Sequence, residues 1–158
     1  MSPLRPIPEG LPTITPHLVV SDAARAIELY AAALGAHEIS RIVGPDGRRV
    51  VFAELILGDS RFFVVDEFPE QRAFSPTTLG GTPVALHVYF ADVDAAYARA
   101  VAAGMRVEIP LADFFWGERY GSLIDPFGHH WGLASRIEDL SPADVQARAR
   151  DFYGRDRS

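Results

Sequence analysis

The chain has 158 residues, of which 48% are apolar and 23% are charged. This balance is typical of a globular domain and excludes an intrinsically disordered protein. The net charge of −6, with arginines scattered singly, provides no basic surface for a nucleic acid. No apolar run approaches the roughly 18 residues of a membrane span, and the proline-rich stretch 1–12 lacks a signal-peptide core. We therefore expect a cytoplasmic protein whose partners are neither nucleic acid nor membrane.

The residue types present limit the possible chemistry. The chain has no cysteine, and all fifteen basic residues are arginine. Disulfides, thiolate catalysis, thiolate metal sites and lysine Schiff bases are therefore excluded. Chemistry would have to come from His, Asp, Glu, Ser, Thr and Tyr side chains.

The first half of the chain predicts a βαβββ unit. A strand at 14–20 is followed by Ser21 and Asp22, either of which can cap a helix, and Gly35 ends that helix. The predicted apolar face consists of Ala23, Ala26, Ile27, Tyr30 and Leu34. Three β-rich runs follow, at 38–43, 48–57 and 61–66, separated by the turn signals Pro45-Asp46-Gly47 and Gly58-Asp59-Ser60.

The second half repeats this order. A strand at 84–90 precedes a helix that Asp92 caps and Gly104 ends. Its apolar face is predicted to be Val93, Ala96, Tyr97, Ala100 and Val101. Strands are then predicted at 106–109, near 120–124 and at 130–135, with a turn at Asp125-Pro126-Phe127-Gly128.

An offset of seventy residues relates the two halves and indicates an internal repeat. The matched pairs are Thr15 and Ala85, His17 and His87, Asp22 and Asp92, and Gly58 and Gly128. A C-terminal helix is predicted after Ser141 and Pro142, docked through Val145, Ala149 and Phe152 and ending before Gly154. We predict a single α+β domain with a first module at about 12–68, a linker at 69–83, a second module at about 84–136 and a helical tail at 137–158.

Several motifs resemble the vicinal-oxygen-chelate superfamily of glyoxalases, bleomycin-resistance proteins and dioxygenases. They are PHLVVSD at 16–22, HVYFADVDAAY at 87–97 and DPFGHHW at 125–131, and the stretch FWGERYG at 115–121 is similar to the PhnB-like branch. The resemblance covers residues 13 to about 140. It implies two βαβββ modules whose curled sheets form a cup, commonly in homodimers.

The resemblance also implies where a metal would be bound. Metal-dependent members take two ligands from each half, one early in the first strand and one in the last strand. These positions correspond to Thr15 and Ala85, to Phe62 or Phe63, and to Gly132 or Leu133. None of these residues is a good metal ligand, so we predict that this member has no metal.

A displaced metal site is the alternative. His17 and His87 lie two residues beyond the expected positions, and strand side chains alternate, so both are predicted to face the cup. With Glu54 or His130 they could hold one divalent ion, Zn or Fe. The structural alternative is that both histidines are hydrogen-bonding groups of the pocket wall.

A two-residue turn at Gly58-Asp59 would place Glu54 opposite Phe63, and the cup face would then include Phe52, Glu54, Ile56, Phe63 and Val65. Glu54 could act as a general base or pair with an arginine. The second half adds further candidates: Tyr89, His130, Phe114, Phe115, Trp116, Arg119 and Tyr120. Some of these rings could instead close the core or a dimer seam, and Arg119 could clamp a ligand carboxylate or anchor Glu118.

These observations predict a protein that binds a small molecule without a metal, in the manner of bleomycin-resistance proteins, and sequesters a flat aromatic or hydrophobic ligand. Such a protein could confer antibiotic resistance. The alternative is a lyase, isomerase or dioxygenase that uses His17, His87 and Glu54, so enzymatic activity stays open. An interaction module whose cup is filled by its own side chains is a third reading. The sequence does not identify the compound.

Overall fold

Two units make up the chain in the computed structural model, with their boundary between Thr82 and Pro83, and residues 3–155 are described. The boundary falls at the end of the predicted linker. The first unit contains β1 (His17–Val20), α1 (Ala23–Leu34), β2 (His37–Val43), β3 (Val50–Leu57), β4 (Ser60–Asp66) and the short helix α2 (Pro76–Leu79). The second contains β5 (Ala85–Tyr89), α3 (Val93–Ala102), β6 (Arg106–Asp113), β7 (Glu118–Ile124), β8 (His130–Arg136) and α4 (Pro142–Gly154).

Each unit has one four-stranded mixed sheet, and the two sheets share one topology. The strand orders are β1-β4-β3-β2 and β5-β8-β7-β6. In both, the first strand pairs in parallel with the last, and all other neighbours are antiparallel. The predicted βαβββ units and C-terminal helix are confirmed.

The two main helices begin and end as their sequences predict. The Asp22 carboxylate accepts a hydrogen bond from the Arg25 amide, and the Asp92 carboxylate accepts one from the Ala95 amide. Gly35 ends α1 in the left-handed conformation, with φ of 77°. Every predicted apolar residue of α1 is buried, but Val101 of α3 is 40% exposed because it lies at the edge of the apolar stripe, in the last turn.

One face of each sheet packs on its helix. In the first unit the buried residues beneath α1 include Ala53, Leu55, Phe62 and Val64. In the second unit Leu123, Trp131 and Leu133 lie beneath α3. We call the opposite face of each sheet its open face.

Several strand bounds differ from the prediction. β1 starts at His17 instead of residue 14, because proline 16 offers no amide to the ladder. β3 starts at Val50 instead of residue 48, because the Asp46 carboxylate accepts the Arg48 and Arg49 amides in the preceding turn.

β6 reaches Asp113, four residues beyond its predicted end. Its interior proline 110 is accommodated because β6 is an edge strand with register irregularities between Val107 and Ala112.

The C-terminal helix has a complete capping box between Ser141 and Asp144 and continues through Gly154, where the sequence predicted it to stop. It buries no residue fully, and Phe152 is 51% exposed. The predicted stripe is only partly buried: Val145 and Ala149 are half-buried, and the helix is held by the Phe152 ring 5.0 Å from the Phe115 ring and by Arg148 on Glu138.

The described segment 3–155 has no helix that is both long and apolar enough to cross a membrane.

Candidate functional site

The Glu118 carboxylate is the polar centre of the open face in the second unit. Tyr89 donates its hydroxyl proton to Oε1 at 2.7 Å, and Trp116 Nε1 donates to Oε2 at 2.9 Å. His87 Nε2 lies 3.6 Å from Oε2, and only 15% of the Glu118 side chain is exposed. A mostly covered carboxylate is thus held by the neutral donors of two aromatic side chains.

Aromatic rings surround this carboxylate. We call the set His87, Tyr89, Phe114, Trp116 and Tyr120 the aromatic cluster. The His87 ring is parallel to the Tyr120 ring at a centroid distance of 5.5 Å, and the Phe114 and Trp116 rings are stacked at 4.5 Å. Trp116 also meets Tyr120 edge-on at 5.9 Å. Rings with polar tips of this kind can stack against a flat aromatic partner and hydrogen-bond to it.

Strand alternation places the members of the cluster on one face. His87 and Tyr89 are two residues apart on β5, and Glu118 and Tyr120 are two residues apart on β7. Phe114 and Trp116 come from the turn before β7, where Gly117 has φ of 89° and donates its amide proton to the Phe114 carbonyl. The Ile137 and Glu138 amides donate to the Gly117 carbonyl, so the turn is held from both sides.

Gly132 makes room for two of these rings. A Cβ atom on Gly132 would lie 2.8 Å from Tyr120 Cε2 and 3.3 Å from His87 Nδ1. Gly132 is also the residue in register with His87 on the neighbouring strand. Gly132 therefore brings no side chain to the position at which a metal-dependent member would present a ligand, and the Tyr120 ring covers this position.

The other expected ligand positions are equally unsuited to a metal. In the first unit Phe63 is in register with His17, as Gly132 is with His87. Thr15 lies before β1 and donates its hydroxyl proton to the Pro12 carbonyl. The residues at these positions do not fit the metal of the family. Within residues 3–155, no group of three or more His, Asp or Glu side chains is arranged to hold a metal ion.

The open face of the first unit carries the other predicted residues. Glu54 pairs with Phe63 in the ladder, as the two-residue turn predicted. Phe52 and Phe63 lie 4.8 Å apart, and the exposed His17 ring meets Phe63 edge-on at 6.1 Å. Glu54 Oε1 accepts a hydrogen bond from Arg61 Nη1 at 2.7 Å, so Glu54 is in the ion pair that the sequence left as one of two possibilities.

Three predicted site residues of the second unit lie outside the aromatic cluster. Arg119 points to the helix side of β7, where it binds Asp94 and Asp113, because it alternates with Tyr120. His130 lies on the open face but at the other end of β8, with Nδ1 2.7 Å from Glu108. Phe115 contacts Trp116 on one side and Phe152 on the other.

Electrostatics keeps Tyr89 a donor. The hydrogen bond to Glu118 raises the pKa of the Tyr89 phenol, and burial and the negative charge of Glu118 raise this pKa further. A phenolate would lose the bond and face the carboxylate, so Tyr89 holds its proton.

The first unit also has a groove of about 350 Å³, lined by Ser21, Asp22, Asp46, Arg48, Arg49, Asp66 and Glu67. Its carboxylates already hold backbone amides: Asp66, for example, accepts those of Ala23 and Val50 at 2.7 Å each. These charges serve the fold, and the groove has no aromatic wall.

Sequence reasoning missed Glu118 as a site residue and considered it only as a neighbour of Arg119. A signal existed, since residue 118 shares a strand face with Tyr120. The predicted strand began near residue 120, so that alternation was not extended to Glu118.

Residues 10–133 match the family model of the Glyoxalase/Bleomycin resistance protein/Dioxygenase superfamily. The chain belongs to this superfamily. Among curated proteins, it is 42% identical over 139 residues to the uncharacterized protein Mb0911c of Mycobacterium bovis, covering 86% of this chain and 91% of that one. The uncharacterized protein At5g48480 of Arabidopsis thaliana is 32% identical over 118 residues, covering 70% of each chain.

Solved structures agree with the fold. A glyoxalase/bleomycin resistance protein/dioxygenase from Nocardioides has a TM-score of 0.62 at 27% identity, covering 83% of this chain and 87% of that one. TioX from Micromonospora sp. ML1 also has a TM-score of 0.62, at 24% identity, with coverage of 82% and 100%. A PhnB protein from Bacillus cereus has a TM-score of 0.61 at 19% identity, with coverage of 78% and 99%. At such identities the last two show the fold alone.

Proposed function

We propose that the protein binds a small molecule without a metal and sequesters it, as a resistance protein would. The ligand is flat and largely aromatic or hydrophobic. The observation that carries this proposal is the Tyr120 ring over Gly132, which fills the expected metal position with part of an aromatic wall. Stacking on exposed rings and burial of apolar area would supply the affinity.

The donor set supports the metal-free part of the proposal. The two last-strand positions hold Phe63 and Gly132, neither of which can bind a metal through its side chain. Glu54, the nearest carboxylate to Phe63 in the ladder, is neutralised by Arg61.

The test measures metal content and ligand binding on one preparation. We expect elemental analysis to find no stoichiometric metal, and Zn, Fe, Mn and Ni to leave the melting temperature unchanged, since residues 3–155 contain no cluster of three His, Asp or Glu side chains that could hold them. Quinoline at pH 8 should bind, with the same affinity in the presence and absence of EDTA, by calorimetry. Quinoline binding can also be followed by tryptophan fluorescence. The variant Trp116→Phe, which keeps a ring at this position, shows whether a fluorescence change comes from Trp116 or from Trp131.

A stoichiometric metal that disappears in His17→Ala and His87→Ala would overturn the proposal. It would favour the alternative lyase, isomerase or dioxygenase, in which His17, His87 and Glu54 act on the substrate. That catalytic role stays a prediction.

A further inference from the structure

The charge of Glu118 is balanced differently from that of several other carboxylates in the chain. Asp94 and Asp113 share Arg119, Glu138 binds Arg148, and in the first unit Glu54 binds Arg61. Glu118, by contrast, has a phenol and an indole as its direct hydrogen-bond donors. Neutral donors solvate a carboxylate but leave its full negative charge in place.

The positively charged groups nearest to Glu118 make no hydrogen bond to it. Arg136 faces Glu118 across the β7–β8 ladder, and its charge partly opposes the rise in the pKa of Tyr89, but its guanidinium hydrogen-bonds to Asp139 and the Glu138 carbonyl. His87 Nε2 is 3.6 Å from Glu118 Oε2, beyond hydrogen-bond distance.

The rings add to the attraction for a cation. The faces of aromatic rings carry negative electrostatic potential, and a cation above such a ring is stabilised by it. Tyr89 is 63% exposed and the His87 side chain is 41% exposed, so a ligand can reach the cluster.

We infer that Glu118 and the aromatic cluster form a recognition site for a positively charged aromatic ligand, with a flat ring system stacked on the cluster and its cationic nitrogen directed to Glu118. This inference rests on the proposed function and names the class of ligand that the site takes.

The test compares three bicyclic aromatic probes of similar size at pH 8: 1-methylquinolinium, which is a cation, quinoline, which is neutral, and 1-naphthoate, which is an anion. By calorimetry we expect 1-methylquinolinium to bind about tenfold more tightly than quinoline, as for a partly desolvated cation on rings and a carboxylate, and 1-naphthoate to bind most weakly.

Glu118→Gln removes the charge but keeps the shape: its amide oxygen can accept from Trp116 Nε1, and its amide NH2 group can donate to the Tyr89 hydroxyl oxygen. It should abolish the roughly tenfold preference for 1-methylquinolinium over quinoline. Glu108→Gln is the matched control, because it removes the same charge from the same sheet beside His130 and outside the aromatic cluster. It should keep the preference.

Two outcomes separate the inference from the proposed function. If none of the three probes binds, the proposed function itself is overturned. If they bind equally, or if the preference survives in Glu118→Gln, only the role of Glu118 is overturned.

If Glu118→Gln does not fold, the inference is tested on the wild-type protein instead. A preference that falls as NaCl is raised from about 20 to about 500 mM, with the Trp116 indole resonance shifted by 1-methylquinolinium, supports the inference. A preference independent of salt, or an unshifted resonance, contradicts it.

Discussion

The absence of a side chain at residue 132 shapes the candidate site as much as any side chain does. Tyr120 lies against the Gly132 backbone and stacks on His87. Because the cluster depends on this approach, its geometry should be sensitive to a single methyl group.

Gly132→Ala should destabilise the protein by about 1–3 kcal/mol, because the new Cβ would overlap Tyr120 Cε2 at 2.8 Å. Urea unfolding measures this cost. Tyr120→Leu provides the partner variant: in that background the cost of Gly132→Ala should shrink, because the ring is gone. An equal cost in both backgrounds would show that the two residues do not compete for space.

At the residue scale, the sequence predicts which positions carry no metal ligand but not what replaces them. Gly132 can be identified as an absent ligand by counting from a turn. That Tyr120 occupies its space depends on packing between strands 7 and 8, which has no local sequence signal. The sequence likewise left the pairing of Glu54 with an arginine as one of two alternatives. The partner is Arg61 on the neighbouring strand, and such a contact between strands has no local sequence signal.

Among the predicted strands, β6 differs most from its prediction, by four residues at its end, and it leads into the turn with Phe114 and Trp116. Periodicity identified only its regular start, because the register irregularities between Val107 and Ala112 interrupt alternation. Helices α1, α3 and α4 were predicted closely, since caps and stripes are local features of the sequence, but α2 lies in the predicted linker and was not predicted.

We expect the amides of helix α4 to be less protected from hydrogen exchange than those of α3, the other helix of the second unit. It buries no residue fully, whereas α3 buries four, so its amides should exchange through local opening well before those of α3. Hydrogen exchange with mass spectrometry measures the difference. Phe152→Ala removes the contact with Phe115 and should speed exchange further, while Asp151→Ala, on the same helix and exposed, should not.

Equal protection of α3 and α4 would contradict this order. It would indicate that a partner molecule covers the C-terminal helix in solution.

On the scale of the whole molecule, the repeat was predictable because its caps and turns recur at a fixed offset. That offset is seventy residues for the histidines, but Phe63 and Gly132, which are in register with them, are 69 positions apart. A position in the last strand that is located with an offset of seventy residues is therefore one residue out of register. A single domain comprising both units stays a prediction.

We propose that the protein forms a homodimer. The edge strand β2 exposes Ile39 by 45%, Ile42 by 57% and Val43 by 43%, and an uncovered apolar edge favours association. Light scattering coupled to gel filtration should give twice the mass of the chain. Ile42→Glu should give the monomer mass, and Leu4→Glu, at a residue that is 93% exposed, should not. A monomeric wild type would rule this out.

The close approach of Tyr120 to Gly132 also constrains how this lineage can change. A side chain at position 132, including one able to bind a metal, fits only if the ring at 120 shifts from its place against the Gly132 backbone. Such a substitution therefore costs less once the ring is gone, so the order of the two substitutions matters. Selection that maintains the aromatic wall thereby disfavours the evolutionary route to a metal ligand at this position.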